Sequence, residues 1–391
     1  MNIIFVNDKP FNPWFGGIER VTDLIVRELL KFGYNIYYLS GRVLNAGIMD
    51  YTYPVKVYQL PENGFFTSNV NKEYYKKILA ELKIDIVINQ RGTFDFMDCV
   101  LGYGDVKTIS VVHSVIDSSV ICYFHSRQET LQWKIKNFVK QCIHPLYVYI
   151  KKKQLYKGLY NHYKELVQKK STIVVLSNSY ANDLYTFLSP IKPSVRVIGN
   201  PCVLHNEIID YSKKEKIILF VGRLCSAEKQ PIRLVQVWNR LYKQHPDWKL
   251  VFVGDGAAMY TMEKYIKRHS IERVVFKGLQ NNVEEFYKKA SFICLTSNYE
   301  GWGMTLTEGM SYGCIPVTFN SYGAATDIID DGVNGCLVSP FSIEEYACRL
   351  SELMSDAKKR EDMATEALKK VRDFELKNVV DKWKSLIDSL S

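Results

Sequence analysis

At 391 residues the chain is longer than one ordinary hydrophobic core organises, and it suits two domains. With 47% hydrophobic and 24% charged residues it excludes a disordered chain, and its longest apolar candidate, 108–124, is broken by His113, Asp117 and serines and so is no membrane span. The formal charge of +9 is local: eleven Lys/Arg between Arg127 and Lys170 face Glu129 and Glu165, and the rest of the chain balances to zero.

The chain opens with an apolar strand, Asn2 to Asn7, without the basic flank or small-residue cleavage site of a signal peptide. A loop over 10–17 leads to a helix over 19–32 that stops at Gly33, and a strand follows over 34–40. Further strands are predicted over 55–60, 85–90, 108–113, 172–177 and 195–198, with helices over 72–83 and 179–188. After Gly199-Asn200-Pro201 the rhythm restarts. Strands are predicted over 217–221, 248–253, 274–277, 292–297, 315–319 and 336–338, with helices between them over 230–245, 283–289 and from about Thr305. Near-continuous apolar strands alternating with helices read as parallel, doubly wound α/β sheets in two Rossmann-like domains. The nine cysteines form no CxxC pair or metal-spaced cluster, which predicts reduced thiols in a cytosolic protein and no structural zinc.

In such sheets ligands bind beyond the carboxyl ends of the strands. Gly16-Gly17, His113, Gly222-Arg223 and Glu300 all stand there, so a cleft between the two domains would bring them together. The stretch 291–311 is the focus: an apolar strand, Glu300, the Gly301-Trp302-Gly303 turn, and a helix start with Glu308 behind it. A helix start offers unpaired N–H groups and a positive dipole end for a phosphate, glycines admit a ligand to the backbone, and two carboxylates accept from hydroxyls. A nucleoside diphosphate sugar has that shape. The plainer reading is that Glu308 favours the helix start and Glu300 is solvated. Arg223 and Lys229 are suited to a diphosphate leaving group, or are ordinary surface cations. His113 alone reads more readily as a hydrogen-bonded structural histidine than as a functional one. Gly16-Gly17 lacks the GxGxxG spacing, and no nucleophile elbow or DxD-like acidic pair is present.

In order along the chain stand Gly16-Gly17-Ile18-Glu19-Arg20, His113, Gly199-Asn200-Pro201, Val221-Gly222-Arg223 with Glu228-Lys229, and Val253-Gly254-Asp255-Gly256. They are followed by Glu300 and Glu308, Tyr312 to Val317, and Asp331-Gly332-Val333-Asn334-Gly335. This series resembles the retaining glycosyltransferases of family 4, with the GT-B fold of two Rossmann-like domains facing across a cleft. The resemblance implies an acceptor-binding domain over 1–205, with a C-terminal helix over 375–391 packing back on it, and a nucleotide-sugar-binding domain over 206–374. It implies that Glu300 binds donor-sugar hydroxyls and Glu308 the ribose. Arg223 and Lys229 would hold the diphosphate, aided by backbone at Gly16, Gly17, Gly303, Met304, Thr305 and Leu306. Leu279 would meet the base, and His113 would orient the sugar. It further implies same-face attack by an acceptor hydroxyl whose proton passes to the departing phosphate, with neither cofactor nor metal. Gly309 departs from the family's usual Ala, Asp327 stands where Glu is frequent and receives no role, and 115–170 aligns with nothing in the pattern.

That unaligned stretch places Leu155, Leu159 and Leu166 on one helix face and Lys153, Lys157 and Lys164 on the other. It reads either as an amphipathic helix packed on its domain or as a cationic surface for anionic lipid, rich in tyrosine (Tyr147, Tyr149, Tyr156, Tyr160, Tyr163). No nucleic-acid motif accompanies the charge. The expectation is a cytoplasmic hexosyltransferase, peripheral to the inner membrane face, that moves a hexose from a UDP-sugar to a glycan or lipid-linked acceptor in bacterial surface polysaccharide synthesis. The alternatives are a sugar-nucleotide epimerase on the same fold and a non-catalytic nucleotide-sugar-binding scaffold.

Overall fold

The structure, a computed structural model, describes residues 1–41, 52–62, 68–92, 103–121, 144–204 and 209–390. The chain divides into two compact units, Met1–Gly199 with Lys377–Ser391, and Asn200–Leu376.

In the first unit the strands are β1 (Asn2–Asn7), β2 (Asn35–Ser40), β3 (Lys56–Gln59), β4 (Ile86–Asn89), β5 (Lys107–Val112), β6 (Thr172–Val175) and β7 (Val195–Val197). They form one seven-stranded sheet in the order β3-β2-β1-β4-β5-β6-β7, with every pair parallel. The chain winds outward from β1 through β3 and returns to lay β4 on the other side. The order therefore reverses between β1 and β4. Ile3, Ile4, Phe5, Val6, Val87 and Ile88 are all buried there, which is why these strands read as unbroken apolar runs. The helix Leu376–Asp388 belongs to this unit from Lys377 onward. It buries Val380, Trp383 and Ile387, and the Tyr34 hydroxyl donates to Asp388 Oδ1 at 2.5 Å.

The second unit holds β8 (Glu215–Val221), β9 (Lys249–Val253), β10 (Val274–Phe276), β11 (Ala290–Leu295), β12 (Ile315–Phe319) and β13 (Cys336–Val338). Their order is β10-β9-β8-β11-β12-β13, again all parallel, and here the reversal lies between β8 and β11. β11 begins and ends two residues earlier than the predicted strand, so Thr296 and Ser297 stand in the loop beyond it. The helix expected over 230–245 is Ile232–Leu241; Gln230 has a left-handed φ of 46° and Pro231 precedes the first helical residue, which delays the start.

The helix His144–Gln168 settles part of the reading of the basic segment. Leu159, His162, Tyr163 and Leu166 are buried on one face, while Lys153, Lys157 and Lys164 are exposed, as in a helix packed on its own domain. The tyrosine-rich surface is corrected. Tyr156, Tyr160 and Tyr163 turn inward around the Phe187 ring, and the Tyr156 and Tyr163 hydroxyls donate to Asp117 Oδ2 and the Ile116 carbonyl. The ring bodies are apolar and each of these two hydroxyls has a partner inside, so burial costs little. Of the five, only Tyr149 is exposed among the described side chains, next to exposed Ile150 and the lysines 151–153. The side chain of Tyr147, and Arg127, Lys134, Lys136 and Lys140, lie outside the described residues.

Gly309 has a steric reason. The helix Met304–Ser311 lies so close to β11 that a Cβ at Gly309 would sit 2.7 Å from Ile293 Cγ2 and 2.9 Å from its Cβ. Alanine would raise helix propensity by about 1 kcal/mol, but overpacking against a β-branched strand residue costs about 1–3 kcal/mol. Gly309→Ala is expected to lower the midpoint of thermal unfolding; a raised midpoint would show that the helix can move off the strand freely.

Candidate active site

The residues around the second reversal point are held by two loops. Gly222 and Leu224, on either side of Arg223, donate their backbone N–H groups to Val253 and Asp255 carbonyls at 3.0 and 2.8 Å. The backbones at β8 and β9 approach so closely that a Cβ at Gly254 (φ 134°) would lie 2.0 Å from the Gly222 oxygen. Only glycine fits. From the other side, Asn298 N–H donates to the Glu228 carbonyl and its side chain to Ala227, at 2.7 and 2.8 Å. The loop after β8 is thereby tied to the loop after β11.

Between these loops stands a charge cluster. Lys229 Nζ donates to both Glu300 oxygens at 2.7 Å, and Ser297 Oγ donates to Glu300 Oε1 at 2.6 Å. Only 16% of the lysine side chain and 6% of the glutamate side chain are exposed. Burial by itself would lower the Lys229 pKa, but the attraction of Glu300 and Glu228 outweighs it and the net shift is upward. Glu228 stands 3.5 Å from Lys229 and accepts from Arg223 Nη2 at 2.7 Å. Arg223 itself is 73% exposed. The solvated-glutamate alternative therefore fails for Glu300, whereas Arg223 reaches out into solvent.

Gly303 takes the left-handed conformation (φ 91°, ψ 49°) immediately before the helix Met304–Ser311. No side chain caps that helix start, and its Leu306 N–H turns back to the Gly303 carbonyl at 2.8 Å. The backbone at Met304 and Thr305 therefore keeps the anion-binding character of an uncapped start. Trp302, buried, packs edge-on against Phe374 at 5.1 Å and anchors the turn. Glu308 lies one turn into the helix, where its Oε2 accepts from the Tyr287 hydroxyl at 2.9 Å. Leu279 follows β10, two strands from β8, and is 80% exposed on a loop whose Gly278 carbonyl accepts from Gly254 N–H.

The first unit carries its own polar group at the β1/β4 reversal. Gly17 begins the first helix and Gly16 precedes it without a side-chain cap. Asn7, at the end of β1, donates to buried Glu19 at 3.1 Å and accepts from Arg91, which also pairs with Asp8 at 2.7 Å. His113, just beyond β5, donates from Nε2 to Gln90 Oε1, and its Nδ1 has no partner among the described residues. Burial, and then the Arg91 charge, lower its pKa to about 3. The imidazole is neutral at physiological pH, and its Nδ1 is left as a hydrogen-bond acceptor.

Glu300 and Lys229 are thus in direct contact, with Arg223 joined to them through Glu228. Gly303, Met304, Thr305, Leu306 and Glu308 share one short helix, and Gly16, Gly17 and His113 stand in the first unit. Glu228, Ser297, Tyr287 and Gln90 carried no role in the sequence reading. Ser297 and Gln90 fall at the ends of predicted strands, and Tyr287 within the helix predicted over 283–289. The Asp331 to Gly335 landmark is scaffolding. Asn334 bonds the Asp330 N–H and the Ile328 carbonyl, and a Cβ at Gly335 would meet the Pro316 oxygen at 2.5 Å.

Removing the ammonium strands a buried carboxylate, which costs about 3–5 kcal/mol, whereas an exposed pair contributes about 0–1 kcal/mol. Lys229→Met is therefore expected to destabilise far more than Arg223→Ala in urea unfolding. Because the folded pKa of Lys229 is raised, its contribution is complete at neutral pH and is lost only as pH rises past the ordinary lysine value of 10.5. Equal losses for the two variants would contradict the buried pair.

The family model for glycosyl transferases group 1 matches residues 205–370. The Campylobacter jejuni GalNAc-alpha-(1->4)-GalNAc-alpha-(1->3)-diNAcBac-PP-undecaprenol alpha-1,4-N-acetyl-D-galactosaminyltransferase is 31% identical over 379 residues, 95% of each chain. Among solved structures, the sucrose-phosphate synthase of Thermosynechococcus elongatus matches with a TM-score of 0.76 and 16% identity, over 100% of this chain and 99% of that one. Anabaena HepE, solved with UDP and glucose, matches with a TM-score of 0.72 and 15% identity over 99% of each. The chain belongs to the group 1 glycosyltransferases and has the GT-B fold.

Proposed function

We propose that the protein is a retaining glycosyltransferase that moves a hexose from a UDP-sugar to a glycan or lipid-linked acceptor in bacterial surface polysaccharide synthesis. The observation that carries this reading is the Lys229–Glu300 pair, linked through Glu228 to Arg223 and set at the β8/β11 reversal. A diphosphate arriving there competes with the carboxylates for both cations. As Lys229 turns to phosphate, Glu300 is released to accept from donor-sugar hydroxyls. Arg223, exposed although paired with Glu228, swings to the same charge, and the uncapped backbone at Met304 and Thr305 adds N–H donors. Glu308 takes the ribose hydroxyls, and the exposed Leu279 loop takes the base.

The bond from the sugar's anomeric carbon to the β-phosphate oxygen breaks while the acceptor oxygen bonds that carbon on the same face. The acceptor proton passes to the departing phosphate, so no protein base is required. Neutral His113 accepts a hydrogen bond from a sugar hydroxyl through Nδ1. Catalysis then rests on stabilising the leaving charge and on positioning, with no metal ion. The Campylobacter relative, named for a polyprenyl-diphosphate oligosaccharide, supports a lipid-linked acceptor, and HepE with UDP supports the nucleotide.

Purified protein incubated with UDP-hexoses and oligosaccharide or polyprenyl-diphosphate acceptors is expected to give product with the donor's anomeric configuration, undiminished by EDTA. Arg223→Ala should cut the rate about a hundred- to thousandfold, the scale of losing one donor to a developing oxyanion. An inverted product, or activity abolished by EDTA and restored by a divalent ion, would overturn the reading. Free sugar or an epimer formed without acceptor would establish the epimerase instead.

We also place the chain on the cytoplasmic face of an anionic membrane, through Tyr149, Ile150 and lysines 151–153. The exposed apolar pair beside three cations supports this. Among the described residues no helix is long and apolar enough to cross a membrane. Co-sedimentation with vesicles containing phosphatidylglycerol should exceed that with phosphatidylcholine alone and fall when lysines 151–153 become glutamate. Equal pelleting throughout would remove the membrane from the account.

A further inference from the structure

Tyr287 stands on the helix Glu284–Lys289 immediately before β11, almost wholly buried. Three constraints fix it. Its ring lies nearly parallel to the Tyr312 ring, at 5.9 Å and 14°. Its carbonyl accepts from the half-buried Lys214 ammonium at 2.8 Å, and that ammonium also holds the Ala290 carbonyl at 2.9 Å. The Cys314 thiol donates to the same two carbonyls at 3.1 and 3.3 Å. A cation over the last carbonyls of a helix suits the negative end of its dipole and stops the end from fraying. The remaining freedom of the side chain is removed by the phenol, which donates to Glu308 Oε2 at 2.9 Å.

We propose that Tyr287 is a positioning residue for nucleotide recognition: its hydroxyl sets the orientation in which the Glu308 carboxylate meets the ribose hydroxyls. The proposal rests on the assignment of Glu308 to the ribose. Its physical basis is that a carboxylate on a helix surface rotates about its terminal torsions, and two hydroxyls can be met together only in one narrow range of that rotation. A charge-assisted bond from a phenol that cannot itself move selects that range before the ligand arrives, which lowers the ordering cost of binding. Lys214 and Cys314 act one step further out, by holding the backbone that carries the phenol.

The test compares UDP with 2′,3′-dideoxyuridine diphosphate by calorimetric titration of the full chain. Tyr287→Phe keeps the ring and its stacking and removes only the donor. It is expected to weaken UDP about tenfold, the scale of a hydrogen bond to a charged group, and to leave the dideoxy analogue within about twofold. General damage to the fold would weaken both nucleotides alike, so the ratio separates positioning from stability. Glu308→Gln distinguishes the layers of the argument. If it lowers the preference for UDP over the analogue while Tyr287→Phe leaves that preference intact, the positioning role is overturned and the ribose assignment stands. If neither variant changes the preference, the ribose assignment itself falls and the proposal falls with it.

Discussion

Glu300 clasps the Lys229 ammonium in a place where burial by itself would pull that ammonium away from its charged form. An isolated ammonium there would lose water that stabilises its charge. The bidentate contact, with Ser297 on one carboxylate oxygen, reverses that tendency, and the lysine pKa rises although burial pulls the other way. A pair of this kind adds little to stability over a well-packed apolar pair. On the proposed function its value lies in what it stores: a positive charge already stripped of most of its water, next to an acid whose oxygens would become available once that charge turned elsewhere.

The fold around the pair is built so that these groups cannot drift. β9 is followed by Gly254 because the Gly222 backbone comes within the radius of a side chain there, and the loops beyond β8 and β9 exchange hydrogen bonds on both sides of Arg223. The helix bearing Glu308 is pressed onto β11 closely enough that position 309 has no room for a methyl group. Rigid backbone with mobile charge at its edge is the arrangement expected where electrostatic preorganisation has to do the chemistry. Arg223 is the exception in exposure. Its contact with Glu228 is the one a polyanion can break at least cost.

Much of this was readable before any coordinates. Unbroken apolar runs such as Asn2–Asn7 and Ile217–Val221 are strands buried on both faces, and their alternation with helices fixes the doubly wound class. Glu300, Arg223 and Lys229 stood out because they follow strands, where this fold keeps its ligands. Other features could not be read because they depend on distance along the chain. Nothing local in the sequence marks Lys229 and Glu300, 71 residues apart, as partners. Tyr287 carries no local signal, since its hydroxyl acquires meaning only when Glu308 comes round from the next helix. Tyr156, Tyr160 and Tyr163 were misjudged for the opposite reason: lysine neighbours suggested a wet face, while Phe187 from another helix draws the rings inward.

The most direct measurement is a crystal structure with an intact UDP-sugar or a non-hydrolysable analogue. The account predicts that Lys229 Nζ and the Arg223 guanidinium lie at hydrogen-bonding distance, about 2.7–3.2 Å, from diphosphate oxygens, with Glu300 turned to sugar hydroxyls. A diphosphate bound away from both cations, or chelated by a divalent ion while Lys229 remains clasped by Glu300, would contradict it.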